Sequence, residues 1–301
     1  MADFLLEFGQ YTSFLSPTQF VTALRKVPPS PRIIPVAAGR AAQHGESLRR
    51  QHIPGSVLFD MDIIRDNFSP YPQMLPSASH FADCVSQLGI TPDDVVVVYD
   101  PFEVGFYSAP RVAWMFRLFG HARVYVLNNF RLYVGEGHPV AQGEMLMPER
   151  SEYPVHDMDE RKVIAFEQLR DMIQQGTDTD VQILDARIPG RFTGVDPEAN
   201  AALSSGHMPK SINIPLASML DTEAQTMLPA IQLKGLFAAA GVDPAKPKIL
   251  TCNSGVTAAA LDMALSESKF DEAPRRIYDG SWSEWAQRAG PDDGLIEKSV
   301  S

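Results

Sequence analysis

Two stretches of the chain, Val95-Val-Val-Val-Tyr-Asp100 and Lys248-Ile-Leu-Thr-Cys252, decide the fold class. Each is a short apolar run without polar alternation, which is typical of a strand buried on both faces of a parallel sheet. Each run leads to a helical pattern, which begins at Ala109 in one case and at Val256 in the other. A strand followed by a helix is the repeating unit of α/β proteins, so both halves of the chain are predicted to be α/β domains.

The two halves also share a weak internal repeat. His52-Ile-Pro-Gly-Ser is echoed by His207-Met-Pro-Lys-Ser, about 155 residues later. A further short apolar strand pattern occurs in each half, at Arg123–Leu127 and at Arg276–Tyr278. A repeat of this length indicates a duplicated domain, because solenoid repeats are far shorter.

The chain length agrees with two domains. At roughly 100–200 residues per domain, 301 residues accommodate two, each with its own core. Between the halves the sequence is rich in Gly, Pro, Glu and His without a sustained period, which is typical of a linker. We therefore predict a domain at 12–138, a linker at 139–160, a second domain at 161–290 and a tail at 291–301.

The composition excludes several classes of protein. With 37 acidic and 26 basic side chains the formal net charge is −11, which argues against a general nucleic-acid surface. No apolar run approaches the roughly 20 residues that span a bilayer, so no membrane partner is expected. The first residues include Asp3 and Glu7 where a signal or transit peptide would carry basic residues. A cytoplasmic location is expected, with a mitochondrial fraction as the alternative.

The two cysteines, Cys84 and Cys252, are too few for a disulfide framework or a cysteine-rich zinc site, and we predict neither metal nor cofactor. Cys84 shares a helical face with Phe81 and Val85 and is predicted to be a core residue. Cys252 instead lies directly after a buried strand and before a helix. There the unpaired N–H groups of the helix favour a thiolate or a negative persulfide.

The residues around Cys252 resemble a known family. The loop Cys252-Asn-Ser-Gly-Val-Thr257, with Ser205-Gly-His-Met-Pro upstream and Tyr278-Asp-Gly-Ser-Trp downstream, is similar to the catalytic half of tandem-domain rhodaneses. The resemblance covers roughly residues 12–290. It implies an α/β fold of two rhodanese-like domains, each a mainly parallel sheet flanked by helices, and a persulfide-forming role for Cys252.

The first half resembles the catalytically silent domain of the same family. His52-Ile-Pro-Gly-Ser and Tyr107-Ser-Ala-Pro-Arg carry this resemblance. When the two strand–loop junctions are aligned, Asp100 stands opposite Cys252. A carboxylate cannot carry transferable sulfur, so the first domain is expected to be silent.

The loop composition bears on the sulfur donor. In thiosulfate sulfurtransferases the corresponding loop resembles Cys-Arg-Lys-Gly-Val-Thr, whose two cationic side chains suit a dianion. In this chain the same two positions hold the neutral residues Asn253 and Ser254. The pattern is closer to the Cys-Gly-Ser-Gly-Val-Thr of 3-mercaptopyruvate sulfurtransferases, and fewer cations mean less electrostatic gain for thiosulfate. We therefore expect 3-mercaptopyruvate as donor, bound by Asn253, Gly255, Val256 and Thr257. The family resemblance implies a reduced thioredoxin, a small thiol or cyanide as acceptor.

The donor carboxylate requires a cation, ideally an arginine. Arg191 matches the substrate-anchoring arginine of the family, and Arg187 is assigned mainly to a structural pair with Asp185 or a neighbouring residue. His52 and His207 recur in both halves, including the silent one, so they are predicted to be structural.

The chain departs from the mercaptopyruvate enzymes at two positions. Those enzymes typically carry a second arginine nine residues after the one that Arg191 matches, and in this chain that position is Asn200. The Ser–His–Asp relay that the resemblance implies matches Ser254 and Asp62, but Gln73 stands in place of the histidine. Gln cannot exchange a proton near neutral pH as His can, so water or the ionisation of the substrate thiol would complete that step.

The sequence leaves two other functions open and disfavours a third. Thiosulfate sulfurtransferase activity uses the same scaffold. A non-enzymatic sulfur-relay or binding module is the alternative of another class, because a fold does not by itself imply a function. A rhodanese-fold phosphatase would need an arginine six residues after the cysteine, where Ala258 stands, and is disfavoured.

Overall fold

The computed structural model describes residues 13–26, 31–145, 147–290 and 293–299. These residues form two compact units. The first unit contains the described residues up to Asn67, Leu75–Asp159 and Glu223–Thr226, and the second contains Phe68–Met74, Glu160–Thr222 and the remaining residues from Met227. The domain boundaries predicted at 12–138 and 161–290 stay predictions.

The first unit is built on a parallel five-stranded sheet in the order β1-β5-β4-β2-β3. Its strands are β1 Phe14–Leu15, β2 Ile33–Gly39, β3 Val57–Asp60, β4 Val95–Tyr99 and β5 Val124–Leu127. Its helices are α1 Pro17–Lys26, α2 Ala41–Arg50, α3 Ala78–Gln87, α4 Ala109–Leu118 and α5 Phe130–Gly135.

The second unit repeats this plan, with a parallel five-stranded sheet in the order β6-β10-β9-β7-β8. Its strands are β6 Val163–Ile164, β7 Gln182–Asp185, β8 Ile212–Asn213, β9 Lys248–Thr251 and β10 Arg275–Tyr278. Its helices are α6 Phe166–Gln174, α7 Pro189–Thr193, α8 Ala230–Ala239, α9 Val256–Ser268 and α10 Ser281–Arg288, and 3₁₀ turns lie at Glu160–Lys162, Thr177–Asp180 and Leu216–Met219. The predicted α/β class, two domains with mainly parallel sheets and flanking helices, is confirmed.

The central strand of each sheet is one of the two stretches from which the fold class was predicted. All residues of β4 and of β9 are buried, as expected for strands covered on both faces. Asp100 follows β4 and Cys252 follows β9, so both lie at the carboxyl end of a central parallel strand. In open α/β sheets this end is where ligands bind.

The repeated histidines hold equivalent loops. His52 forms an antiparallel bridge with Ala141, and His207 forms one with Glu297. Each imidazole Nδ1 lies 2.8 Å from a backbone carbonyl oxygen, that of Leu48 in the first case and of Phe192 in the second. The structural role predicted for both histidines is confirmed.

The segments predicted as linker and tail both pack against a unit. In the linker, Tyr153 is buried in the first unit and its hydroxyl lies 2.9 Å from Nδ1 of His121. In the tail, Leu295 is buried in the second unit, and its carbonyl accepts a hydrogen bond from the indole of Trp285. Neither segment is a free extension, because each supplies side chains to a core.

The described residues contain neither a membrane-spanning helix nor a group of side chains suited to a metal ion. Among the described helices, none combines the length and the apolar character that a membrane crossing needs. The same residues contain no group of three or more His, Cys, Asp or Glu side chains arranged to hold a metal ion.

The amino end of β9 contains a buried ion pair, and its loss should destabilise the protein. The side chains of Lys248 and Asp271 are fully buried with their charged atoms 2.8 Å apart, and Arg275 also contacts Asp271. Replacing Asp271 by Asn leaves buried cations undercompensated and should cost about 3 kcal/mol of the free energy of unfolding. Urea denaturation measures this.

The control is an exposed pair in the first unit. Asp93 is 88% exposed and lies 3.5 Å from Arg123, so Asp93→Asn should change the free energy of unfolding by less than about 1 kcal/mol. Equal effects of the two substitutions would contradict the account of the buried pair.

Candidate active site

Cys252 lies in a tight loop between β9 and α9. The strand ends at Thr251, Cys252 is 2% exposed, and the helix begins at Val256. Gly255 precedes the helix with a φ of +75°, in the left-handed region that glycine adopts without a steric cost. The chain thereby turns around the cysteine within four residues.

The start of α10 holds this loop in place. The hydroxyl oxygen of Ser281 accepts hydrogen bonds from the N–H groups of Cys252 and Gly255, at 3.2 and 3.0 Å. The same hydroxyl donates to the carbonyl oxygen of Tyr278 at 2.8 Å. The N–H groups of Trp282 and Ser283 donate to the carbonyl oxygens of Cys252 and Asn253.

These contacts leave a set of backbone donors in the loop. Among the described residues, the N–H groups of Asn253, Ser254, Val256 and Thr257 find no acceptor within the protein. They lie at the amino end of α9, where the helix carries a partial positive charge. Such a cluster of N–H groups is suited to an anion next to the Cys252 sulfur.

In the first unit, Asp100 occupies the corresponding position and fills it. Its carboxylate accepts hydrogen bonds from the N–H groups of Tyr107, Ser108 and Ala109, at 2.8, 2.6 and 3.1 Å. Burial raises the pKa of Asp100 to about 6, although the three N–H groups oppose the rise. The first unit therefore satisfies its helix terminus with its own carboxylate, whereas the second leaves the donors of the loop open.

Arg187 is fixed beside the cysteine loop. Its guanidinium makes hydrogen bonds to both oxygens of Asp185 and lies 3.9 Å from the centre of the Trp282 ring. A neighbouring link joins the two segments, because Ala186 donates to the carbonyl of Thr251 and accepts from the hydroxyl of Thr257. The structural pair predicted for Arg187 and Asp185 is confirmed.

Arg191, the predicted anchor, is in α7 and its side chain is 30% exposed. Its Nε lies 3.9 Å from a carboxylate oxygen of Glu198. Glu198 is buried and also accepts a hydrogen bond from Arg187 at 2.9 Å. Burial raises the pKa of Glu198, and the charges of Arg187 and Arg191 act in the opposite direction.

The remaining predicted residues lie in different places. Ser254 is buried in the cysteine loop. Asp62 belongs to the first unit, just after β3, with its carboxylate 3.5 Å from the guanidinium of Arg40. Gln73 is buried within Phe68–Met74, which packs with the second unit, and has a φ of +60°. Asn200 is exposed, and its side chain accepts a hydrogen bond from the N–H group of Ala202.

The structure thus brings together the predicted residues 252–257, and a network through Glu198 connects them with Arg191. The roles of Glu198 and of Ser281 were not predicted. The role of Ser281 had a sequence signal, because this residue belongs to the family-like stretch Tyr278-Asp-Gly-Ser-Trp. Glu198 has no sequence signal, since only its burial between two arginines distinguishes it from a surface carboxylate.

Comparisons with known proteins identify the family of the chain. A family model described as "Rhodanese-like domain" matches residues 165–288, which include the cysteine loop. The thiosulfate sulfurtransferase of Rattus norvegicus is 38% identical over 288 residues, which is 94% of each chain. The chain belongs to the tandem-domain rhodanese family of sulfurtransferases.

Further relatives support the family and leave the donor open. The 3-mercaptopyruvate sulfurtransferase of Mus musculus is 38% identical over 258 residues, 84% of each chain. The structure of the Tum1 protein of Saccharomyces cerevisiae superposes with a TM-score of 0.87 at 32% identity, covering 96% of this chain and 99% of that one. Relatives named for thiosulfate are 38–40% identical and those named for 3-mercaptopyruvate are 37–38% identical, so identity does not distinguish the two donors.

The pKa of Asp100 predicts a pH-dependent effect of its replacement. Because the pKa is about 6 in the folded chain and about 3.9 in an unfolded one, the folded state binds the extra proton between these values. The stability contributed by this proton is complete below pH 4 and is lost as pH rises through 6.

Replacing Asp100 by Asn removes this titration. The free energy of unfolding of the variant relative to the unaltered chain should therefore improve by about 1 kcal/mol between pH 5 and pH 7. Urea denaturation of both proteins at the two pH values measures the change. A difference that stays constant with pH would contradict the raised pKa.

Proposed function

We propose that the protein transfers sulfur from 3-mercaptopyruvate to a thiol or cyanide acceptor through a persulfide on Cys252, releasing pyruvate. The observation that carries this proposal is the open set of N–H donors next to Cys252, together with the filled counterpart at Asp100. A negative persulfide would be stabilised in the first environment. In the second, the position is taken by a carboxylate.

The proposed reaction has two steps. The Cys252 thiolate attacks the sulfur of mercaptopyruvate, an S–S bond forms, and the C–S bond breaks. The electron pair of that bond leaves on pyruvate as its enolate, which the neighbouring carbonyl delocalises. The enolate carbon takes up a proton equivalent to the one lost by the substrate thiol. The acceptor, a reduced thioredoxin or a small thiol, then attacks the outer sulfur and releases the Cys252 thiolate.

Each predicted residue has a proposed role in these steps. Arg191 binds the donor carboxylate through charge-assisted hydrogen bonds. The N–H groups of Asn253, Val256 and Thr257 bind the persulfide, and Gly255 contributes the turn, because its own N–H is bonded to Ser281.

The substrate thiol must also lose its proton in the first step. Ser254 and Asp62 are proposed to handle it, as the family resemblance implies. With Gln73 at the histidine position, water or the ionisation of the thiol itself completes the step.

Thiosulfate is the second candidate donor, because thiosulfate sulfurtransferases are among the most similar relatives. The neutral side chains of Asn253 and Ser254 favour the singly charged carboxylate over this dianion. A clear preference for thiosulfate in steady-state rates would overturn the mercaptopyruvate proposal. The proposed compartment is the cytoplasm, with a mitochondrial fraction as the alternative that cell fractionation distinguishes.

The persulfide can be tested by intact mass. After exposure to mercaptopyruvate without acceptor, the chain should gain the mass of one sulfur atom, and peptide mapping should place it on Cys252. Cys252→Ser should gain none and lose turnover by more than about 1,000-fold, because the nucleophile is absent.

Cys84 provides the matched control. It is buried on α3, where burial raises the pKa of its thiol, so Cys84→Ser should still gain one sulfur atom. Retention of sulfur by Cys252→Ser would contradict the proposal. A folded chain that gains no sulfur from either donor would support a non-enzymatic module.

The role of Gln73 can be tested by restoring the histidine. Gln73→His should raise kcat with mercaptopyruvate by about tenfold at neutral pH, since a positioned imidazole can exchange the thiol proton. Histidine also tolerates the positive φ of this position better than most residues.

Thiosulfate serves as the internal control for this variant. It has no thiol proton to transfer at neutral pH, so its rate should be unchanged by Gln73→His. An equal increase with both donors would contradict a proton-transfer role at this position.

A further inference from the structure

Glu198 is a buried carboxylate that faces two arginines. Its side chain is 1% exposed. Its Oε1 accepts a hydrogen bond from Arg187 at 2.9 Å, and its Oε2 lies 3.9 Å from Nε of Arg191. Among the described residues, neither Oε2 of Glu198 nor Nε of Arg191 has a hydrogen-bond partner. Oε2 of Glu198 therefore interacts with Arg191 through charge and not through a hydrogen bond.

Arg187 fixes Glu198 relative to the cysteine loop. Its guanidinium is held by Asp185 at the end of β7, by the carbonyl oxygen of Gly206 at 2.6 Å, and by stacking on Trp282. The N–H of Trp282 donates to the carbonyl of Cys252 at 2.9 Å. A rigid series of contacts thus joins the loop that carries the sulfur nucleophile to the carboxylate of Glu198.

The orientation of Arg191 follows from this arrangement. Its Nε edge faces the buried carboxylate, and within the described part of the chain its guanidinium makes no hydrogen bond to a protein group. The two terminal nitrogens are the fork through which arginine binds a carboxylate at two points. A guanidinium held by its Nε edge keeps that fork available.

We propose that Glu198 is a positioning residue, which holds Arg191 so that its terminal nitrogens face the donor anion. This inference rests on the proposed function only in that Arg191 binds that anion. Glu198 itself does not touch the donor. Glu198 acts on donor binding through Arg191. The contacts of Arg187 with Trp282 fix the position of Glu198 relative to Cys252.

A positioning role and a charge role predict opposite results. Asp185 and Glu198 together balance the charges of Arg187 and Arg191, so the four side chains are neutral as a group. If only charge mattered, removing one negative charge would strengthen binding of an anionic donor and lower KM. If Glu198 orients Arg191, its loss should weaken binding despite the more positive field.

The test is Glu198→Gln, assayed with mercaptopyruvate and with thiosulfate. The amide keeps the shape but loses the ion pair with Arg191, so KM should rise by about tenfold while kcat falls by less than about threefold. The inhibition constant of pyruvate, which shares the carboxylate, should rise in parallel. An unchanged or lowered KM for both donors would overturn the inference.

Two further variants complete the experiment. Arg191→Gln should raise KM at least as much as Glu198→Gln does; if it leaves KM unchanged, the proposed anchor fails, and this inference with it. If only Arg191→Gln raises KM, the positioning role fails and the proposed function stands. Asp262→Asn, which breaks a pair with Arg275 at 2.7 Å elsewhere in the second unit, should leave KM unchanged.

Glu198→Asp covers the case in which the glutamine variant does not fold. Aspartate retains the charge but is shorter by one methylene group, so it cannot keep both arginine contacts at their present distances. Its KM should rise by a smaller factor than that expected for glutamine, about threefold. A folded aspartate variant with an unchanged KM would also overturn the inference.

Discussion

One hydroxyl group, that of Ser281, determines the shape of the cysteine loop. By accepting hydrogen bonds from the N–H groups of Cys252 and Gly255, it takes up two of the donors and holds the turn closed. The donors that remain then lie together at the amino end of α9. The chemistry proposed for Cys252 depends on this division, because a persulfide would need donors that the protein does not itself satisfy.

The two units share a fold but differ in the residue at the end of the central strand, and therefore in whether the neighbouring backbone N–H groups are satisfied. At the end of β4, Asp100 satisfies three backbone N–H groups and its burial raises its pKa. At the end of β9, a cysteine in the corresponding position leaves donors open. The net charge of −11 opposes an anionic donor, so the proposed binding relies on local groups, for which we propose Arg191 and the helix terminus. The exposed Asn200 adds no cation to them.

The sequence predicted those elements whose signals are local. The strands around Val95 and Lys248 follow from unbroken apolar runs, and the position of Cys252 follows from the strand and helix on either side. Strands β1 and β6 have two residues each, which is too short for any periodicity. The role of Glu198 depends on side chains at positions 187 and 191 that meet only after folding. The packing of Phe68–Met74 with the second unit is likewise a tertiary property.

The most direct test of the account counts two products of a single turnover. The purified chain is mixed with an equivalent amount of mercaptopyruvate without acceptor, and both the pyruvate released and the sulfur retained on protein are measured. The persulfide mechanism predicts equal amounts of pyruvate and protein-bound sulfur, approaching one per chain, followed by loss of the sulfur when cyanide is added. Release of pyruvate without sulfur on Cys252, or the same release from Cys252→Ser, would contradict the central claim.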